Sequence, residues 1–458
     1  MSGKTCVTTG RTPMTNLEPT GRSLSKLQLE EKTLLTTSFP NQIAAGSFAP
    51  HSTIVEVGCF RTANVRDALL TEDLMPVRQD IQVLCHEMTH WFDFFGTIWG
   101  RDYIGNICRA YRAFERRTEA EFPKIVELFD KDRSVLSPEY YRFTSAPTIR
   151  HTMTRPWSIE YVAGAEIDAA GATREDRPIF MARFGENPSR QVFARQPVSV
   201  GALLEVRAIA SEVGGAITAV NSHPEEGPRL VEMNIANKEF NDLAYDHELI
   251  EYNTAAHILS VQAGTKELFL SARLAAALAY VALNLQKSDF QKLKVPDSFE
   301  AFGRRNKAFK RQQDRGYAFV AMIFNGGTFD GDEVEFVERC VASSGLGTPN
   351  EIIAAAASEL ANPFWFSGGN NITAHFSRET AMSRQILEAH AKFPNYILTL
   401  QSLVGELRTV CPPFLDADAN FVELNAGRID EYEPEMMHDA AHALRAYTRN
   451  LLSGCRGI

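Results

Sequence analysis

Residues 77–96 read VRQDIQVLCHEMTHWFDFFG, and the interpretation of the whole chain starts from this stretch. It contains no proline and no glycine before Gly96, and its apolar residues recur at steps of three and four. This spacing places them on one face of an α-helix, so the pattern predicts a helix over residues 77–95 that ends at Gly96. The apolar positions are Val77, Ile81, Leu84, Met88, Trp91, Phe92 and Phe95.

The same helix carries His86, Glu87 and His90. A spacing of four residues puts the two imidazoles on one side of a helix, with Cβ atoms about 6 Å apart, where both can bind one Zn²⁺ ion. Glu87 lies one residue further round the helix and can point at water held by the metal. The sequence therefore predicts that His86 and His90 are zinc ligands and that Glu87 is a general base.

A catalytic zinc site needs a third protein ligand on a neighbouring element. Residues 199–212 predict a helix on which Glu205, Ala208 and Glu212 share one face, and the small Ala208 lets two helices approach closely. Glu205 is the first candidate for the third ligand. The alternatives are Glu160 and Glu166 on another predicted helix, and His247, Glu248 and His257.

The pattern His-Glu-x-Thr-His, followed by a helix with Glu-x-x-Ala, resembles the gluzincin metallopeptidases. The resemblance is local, because it covers only short stretches around His86 and Glu205. It implies a zincin-like catalytic domain, Glu205 as the third zinc ligand and hydrolysis of peptide bonds. Tyr252 and His257 follow the predicted ligand helix, as oxyanion donors do in such enzymes, and Tyr252 is the first candidate for that role.

Two further features bear on the same site. Asp93 lies three residues after His90 and is expected to accept a hydrogen bond from a ligating imidazole. Residues 52–60 are rich in β-branched side chains and predict a strand before the zinc helix, which is either a sheet edge that pairs with an extended substrate or an internal strand without a substrate role. A second pair of histidines, His438 and His442, has the same spacing but lies among charged residues, so it is interpreted as an ordinary helix surface.

Composition limits the class of protein. The chain has 47 basic and 57 acidic residues and a formal charge of −10, which argues against nucleic-acid binding. Its seven cysteines are dispersed without a Cys-x-x-Cys pair, as is usual in a reducing compartment. The longest uncharged apolar stretch, residues 274–285, is too short to cross a membrane. We expect a cytoplasmic protein with no membrane segment.

The organisation along the chain predicts an α+β fold that is predominantly helical. Residues 1–32 are expected to be a flexible tail, residues 33–262 a zincin-like domain with a small sheet, and residues 263–458 a helical module. Within that module, Thr348 to Glu351 form a capping box that begins a helix. The helical module is the candidate surface for a protein partner.

The main hypothesis from the sequence is a zinc-dependent peptidase acting on peptide or protein substrates. Zn²⁺ lowers the pKa of its water to about 7, and Glu87 takes a proton from that water and passes it to the leaving amine. The alternative is a catalytically silent, zincin-like sensor or interaction module with structural or regulatory zinc. A helical interaction protein without metal is a third interpretation.

Overall fold

The computed structural model describes residues 19–23, 45–131, 141–167, 171–362, 371–392, 396–424 and 433–455. Within these ranges the chain is mostly helical and contains two small β-sheets. The predicted α+β class with a predominance of helix is confirmed at this level.

The nine strands of the described ranges form the two sheets. They are β1 (Pro19–Ser23), β2 (Gly46–Ala49), β3 (Ile54–Val57), β4 (Phe143–Thr144), β5 (Ser158–Ile167), β6 (Thr173–Gly185), β7 (Val192–Pro197), β8 (Phe414–Leu415) and β9 (Asn420–Val422). The first sheet has the order β1-β9-β8-β3-β2, so β2 is an edge strand. The second sheet has the order β4-β7-β6-β5 and is antiparallel throughout.

Helices fill most of the remaining described residues. They are α1 (Thr62–Thr71), α2 (Arg78–Phe95), α3 (Ile98–Arg116), α4 (Phe122–Lys131), α5 (Val200–Ser222), α6 (Glu226–Ala244), α7 (Ile250–Ala263), α8 (Leu268–Leu283), α9 (Lys287–Lys292), α10 (Arg304–Gln312), α11 (Arg315–Gly326), α12 (Glu333–Ser343), α13 (Pro349–Leu360), α14 (Asn371–Ala381), α15 (Ser383–His390), α16 (Leu400–Val404) and α17 (Pro434–Cys455). The capping box predicted at Thr348 is present at the start of α13.

Helices α2 and α5 lie side by side and hold the residues singled out from the sequence. Helix α2 buries its whole second half, as its apolar spacing predicted, and ends at Gly96. Helix α5 begins where the Ser199 side chain accepts a hydrogen bond from the backbone N–H of Ala202. The two helices are antiparallel, because Ile81 near the start of α2 lies against Gly215, whereas Asp93 near its end meets Arg207.

The strand predicted at residues 52–60 exists as β3, and of the two positions considered for it the structure has the internal one. Strand β3 is antiparallel to β2 and parallel to β8, so it has a neighbour on both sides. Its apolar residues Ile54, Val55 and Val57 are buried. Strand β8 comes from the far end of the chain, and a partner this distant leaves no local signal in the sequence. The edge position belongs to β2.

The predicted division at residue 262 stays a prediction, although the first sheet and its core draw on both sides of it. Strands β8 and β9 complete the sheet that contains β2 and β3. The core around α2 includes Leu84 together with Phe376, Ile386 and Leu444. Of the predicted tail at residues 1–32, residues 19–23 form β1, which pairs with β9, and the rest lies outside the described residues.

No membrane-spanning segment is found in the part of the chain that the structure describes. None of its helices combines the length and the apolar character that a membrane span requires.

Candidate metal centre

Three side chains predicted as ligands come together between α2 and α5. His86 and His90 are one helical turn apart on α2, and Glu205 lies in the second turn of α5. All three are buried, with exposed fractions of 5 %, 1 % and 5 %. Among the described residues, they are the one group of three or more His, Cys, Asp or Glu whose ligand atoms cluster closely enough for a metal ion.

The separations of the donor atoms match those of a tetrahedral ion. The Nε2 atoms of His86 and His90 are 3.2 Å apart. Nε2 of His86 lies 3.6 Å from Oε2 of Glu205, and Nε2 of His90 lies 3.8 Å from its Oε1. A tetrahedral zinc with bonds of 2.0–2.2 Å separates its ligand atoms by about 3.3–3.5 Å. The two distances to Glu205 involve its two different oxygens, and one ligand atom from each of the three residues lies within 4.8 Å of the others.

A second glutamate of α5 orients the first histidine. Oε2 of Glu212 lies 3.0 Å from Nδ1 of His86. A carboxylate at Nδ1 keeps the proton on that nitrogen and leaves Nε2 available for a metal. The sequence placed Glu212 on the same helix face as Glu205 but did not assign it this role. Its position seven residues after Glu205 was the available signal.

The pKa values of His86 and His90 are shifted in opposite directions. Burial lowers the pKa of His86, but Glu205, Glu212 and Glu87 together raise that pKa well above its ordinary value. Burial and the charges of His86 and Arg207 hold the pKa of His90 well below its ordinary value. His86 thus carries a proton that a cation bound among these groups would replace.

Glu87 lies within electrostatic reach of the three ligands. It is 3 % exposed, and burial raises the pKa of its carboxyl to about 8. The charge of His86 opposes this rise, and the charges of Glu205 and Glu212 add to it. A carboxyl group with a pKa near neutrality can both accept and donate a proton under ordinary conditions.

Tyr252 lies in the first turn of α7, and its side chain is 8 % exposed. Burial raises the pKa of its hydroxyl, and the charges of Glu205 and Glu87 raise it further. Glu251 raises this pKa as well, and Arg142 opposes the rise. The hydroxyl stays protonated and can act as a hydrogen-bond donor.

The prediction that Glu160 and Glu166 lie on a helix is wrong. Both belong to β5, where Glu160 is paired with Arg183 and Glu166 with Arg177. Tyr161 and Val162 between them favour a strand, and β6 supplies a full-length antiparallel partner.

The other alternative ligands also lie outside the cluster of His86, His90 and Glu205. His247 and Glu248 are in a short 3-10 helix before α7. Nε2 of His257 lies 2.8 Å from the carbonyl oxygen of Ala244, and its ring centroid is 4.3 Å from that of Trp157. His257 is thus a core residue.

The role predicted for Asp93 is also wrong. Its carboxylate accepts hydrogen bonds from the guanidinium of Arg207 and not from a ligating imidazole. No local pattern indicates this pairing, because Arg207 lies on a helix more than one hundred residues further along the chain. Thr89 has a structural role, since its hydroxyl donates to the carbonyl oxygen of Cys85 at 2.6 Å.

Comparison of the chain with known proteins adds no assignment. No protein-family model matches it, and neither the curated proteins nor the solved structures contain a match. The geometry of the site and the chemistry of its residues therefore carry the functional argument.

The edge strand β2 lies close to Glu87 at Gly46. A Cβ atom built on Gly46 would lie 2.5 Å from Cγ1 of Val83, 2.7 Å from Cγ of Glu87 and 2.8 Å from the carbonyl oxygen of Glu56. Gly46→Ala is therefore expected to lower the free energy of unfolding by about 1–3 kcal/mol, measured by urea denaturation.

The matched control for this substitution is Gly227→Ala in the first turn of α6, where an added Cβ meets nothing within 4 Å. There alanine is expected to be neutral or to stabilise the helix by up to about 1 kcal/mol. If Gly46→Ala has the same free energy of unfolding as the unchanged chain, β2 does not pack as closely against α2 as described.

Proposed function

We propose that this chain is a zincin-like, zinc-dependent peptidase that hydrolyses peptide bonds. The observation that carries the proposal is the convergence of the donor atoms of His86, His90 and Glu205, with the buried Glu87 next to His86 on the same helix. A structural zinc site needs four protein ligands and no acid beside them. Three ligands and a neighbouring glutamate are the composition of a hydrolytic site.

The donor set fits zinc. Two imidazoles and one carboxylate are a common ligand set of catalytic zinc. Oε2 of Glu205 is buried and has no hydrogen-bond partner among the described residues. A buried carboxylate oxygen whose contact with Nε2 of His86 is as long as 3.6 Å is costly, and a cation at this point would satisfy it.

The reaction follows from the positions of the side chains. Bound zinc supplies a water of lowered pKa and a positive charge for the carbonyl oxygen of the substrate. The carboxylate of Glu87 accepts a proton from the attacking water and then donates it to the nitrogen of the leaving amine. Water and a peptide bond are consumed, and a carboxylic acid and an amine are formed.

Strand β2 is the proposed platform for the peptide substrate. It is the edge strand of the first sheet, and Gly46 places it against Glu87. An extended peptide can add to such an edge through main-chain hydrogen bonds, which fixes the scissile carbonyl relative to the metal. The role predicted for β3 is thus transferred to its neighbour.

Tyr252 is the proposed donor to the oxyanion that develops on the substrate carbonyl. Tyr252→Phe removes only the hydroxyl group and is expected to lower kcat about 100-fold, with little change in KM or zinc content. Steady-state kinetics on a cleaved peptide measure this effect. Tyr245→Phe is the matched control, because Tyr245 packs on Trp157 and His257 away from the ligands. Unchanged kcat in Tyr252→Phe would remove Tyr252 from the mechanism.

The proposed setting is the cytoplasm. Cys59, Cys85, Cys108 and Cys340 are free thiols among the described residues. Free thiols are typical of proteins from a reducing compartment. The protein partner expected for the helices after residue 262 stays a prediction.

The test of the proposed function combines metal analysis with a cleavage assay. The purified chain is expected to contain one zinc ion and to cleave members of a peptide library, as followed by mass spectrometry. Removal of zinc by a chelator should abolish cleavage, and added zinc should restore it. A metal-free purified protein that takes up no zinc would overturn the proposal. A zinc-loaded protein that cleaves no peptide would favour the silent sensor.

A further inference from the structure

A buried ion pair connects the two metal-binding helices. Asp93 follows His90 by three residues on α2, and Arg207 follows Glu205 by two residues on α5. The Asp93 side chain is fully buried and that of Arg207 is 1 % exposed. Nε of Arg207 lies 2.8 Å from each carboxylate oxygen of Asp93, and Nη2 lies 2.8 Å from Oδ1.

The rest of the Arg207 guanidinium is held by elements from the second half of the chain. Nη1 donates to the carbonyl oxygens of Ala276 and Tyr396, both at 3.3 Å. The guanidinium carbon lies 4.3 Å from the ring centroid of Tyr280, and Nη2 lies 3.5 Å from Nε2 of His390. Arg207 is therefore fixed by α8 and by residues in and after α15, as well as by α2.

A fully buried ion pair contributes little net stability to a fold. The loss of hydration of two charges offsets most of their attraction, and apolar side chains of similar volume often serve a fold equally well. The planar fork of arginine, however, fixes both distance and angle to a carboxylate. The position of this pair, directly beside two ligand-bearing turns, therefore indicates a geometric role.

The ligands have little tolerance for movement. Sliding of α2 along α5 changes both histidine-to-glutamate distances at once, because the histidines and Glu205 are on different helices. Metal–ligand distances are normally kept within about 0.2 Å. An interaction that fixes the register of the two helices therefore also fixes the metal site.

We propose that the Asp93–Arg207 pair is a positioning device that sets the register of α2 and α5 and thereby controls the affinity of the site for zinc. This inference rests on the metal site of the proposed function. It also gives the helices after residue 262 a part in that function, because they hold Arg207 in place.

The test is zinc affinity, measured by competition with a chromogenic chelator on the full chain. The variants are Arg207→Lys, which keeps the charge without the fork, and the double variant Asp93→Leu with Arg207→Met, which leaves no buried charge. Thermal unfolding and circular dichroism report whether each variant folds. Arg315→Met is the control, since Arg315 is also buried but donates to the carbonyl oxygens of Ala282 and Leu285.

Both variants of the pair are expected to bind zinc about 10- to 100-fold more weakly, an effect as large as the loss of a group that supports a metal ligand through a hydrogen bond. The double variant is expected to fold with near-normal stability and still bind weakly, which a purely structural role of the pair does not explain. Arg315→Met is expected to keep the original affinity. Unchanged zinc affinity in either folded variant would overturn the positioning role alone. Absence of zinc binding by the unchanged chain would overturn both this inference and the proposed function.

Discussion

Replacement of Glu87 by glutamine is expected to lower the rate of peptide hydrolysis by at least about 100-fold while zinc stays bound. Glutamine keeps the length and shape of the side chain, but its amide cannot take a proton from water. Because Glu87 is not one of the three clustered ligands, the metal content should not change. The measurements are kcat on a cleaved peptide and zinc per chain by elemental analysis.

The Glu87→Gln variant is expected to keep its fold, so a loss of activity would reflect the chemistry of the site. Loss of a buried carboxyl group whose pKa is raised by burial should not destabilise the chain, since the neutral amide is easier to bury. The matched control is Glu335→Gln, an exposed glutamate on α12, which should leave both activity and zinc unchanged. Undiminished turnover by the zinc-loaded Glu87→Gln variant would contradict the proposed mechanism.

Glu205→Ala is expected to weaken zinc binding by more than the roughly 10- to 100-fold that loss of an outer-shell partner causes. The substitution removes one of three direct ligands and leaves two imidazoles, which hold zinc less tightly. Competition with a chromogenic chelator measures the affinity. Circular dichroism and thermal unfolding check the fold of this variant, because the substitution also removes the carboxylate that lies 3.6 Å from Nε2 of His86.

The controls for this prediction are the two rival glutamates. Glu160→Ala and Glu166→Ala alter ion pairs of β5 with Arg183 and Arg177 and should leave zinc affinity unchanged. Ion pairs of this exposed kind contribute about 0–1 kcal/mol to stability, so these variants should also fold. Strong zinc binding by Glu205→Ala, together with loss of binding in Glu160→Ala or Glu166→Ala, would contradict the assignment of the third ligand.

The parts of the fold that could be predicted from sequence are those with a local cause. The apolar spacing of α2 and its end at Gly96 are properties of neighbouring residues, and so are the Ser199 cap of α5 and the Thr348 capping box of α13. The position of His86 and His90 on one helix face follows from the same local geometry.

The parts that could not be predicted depend on distant partners. Ala163 follows Glu160 at a helical step of three residues, but the pairing of residues 158–167 with β6 decides the structure. Asp93 had no neighbouring cation in the sequence, so its choice of Arg207 over an imidazole is a consequence of helix packing. The edge position of β2 depends on β8, which joins the sheet from residue 414.

Because β2 is short, the proposed peptidase can recognise only a short segment of its substrate through this strand. The strand spans Gly46–Ala49, which corresponds to about 13 Å of extended chain. Main-chain hydrogen bonds to β2 can hold only a few consecutive residues of the substrate, on one side of the cleaved bond. Selectivity would then depend on side chains next to the scissile position, and unfolded or flexible polypeptides would be cut in preference to rigid, folded ones.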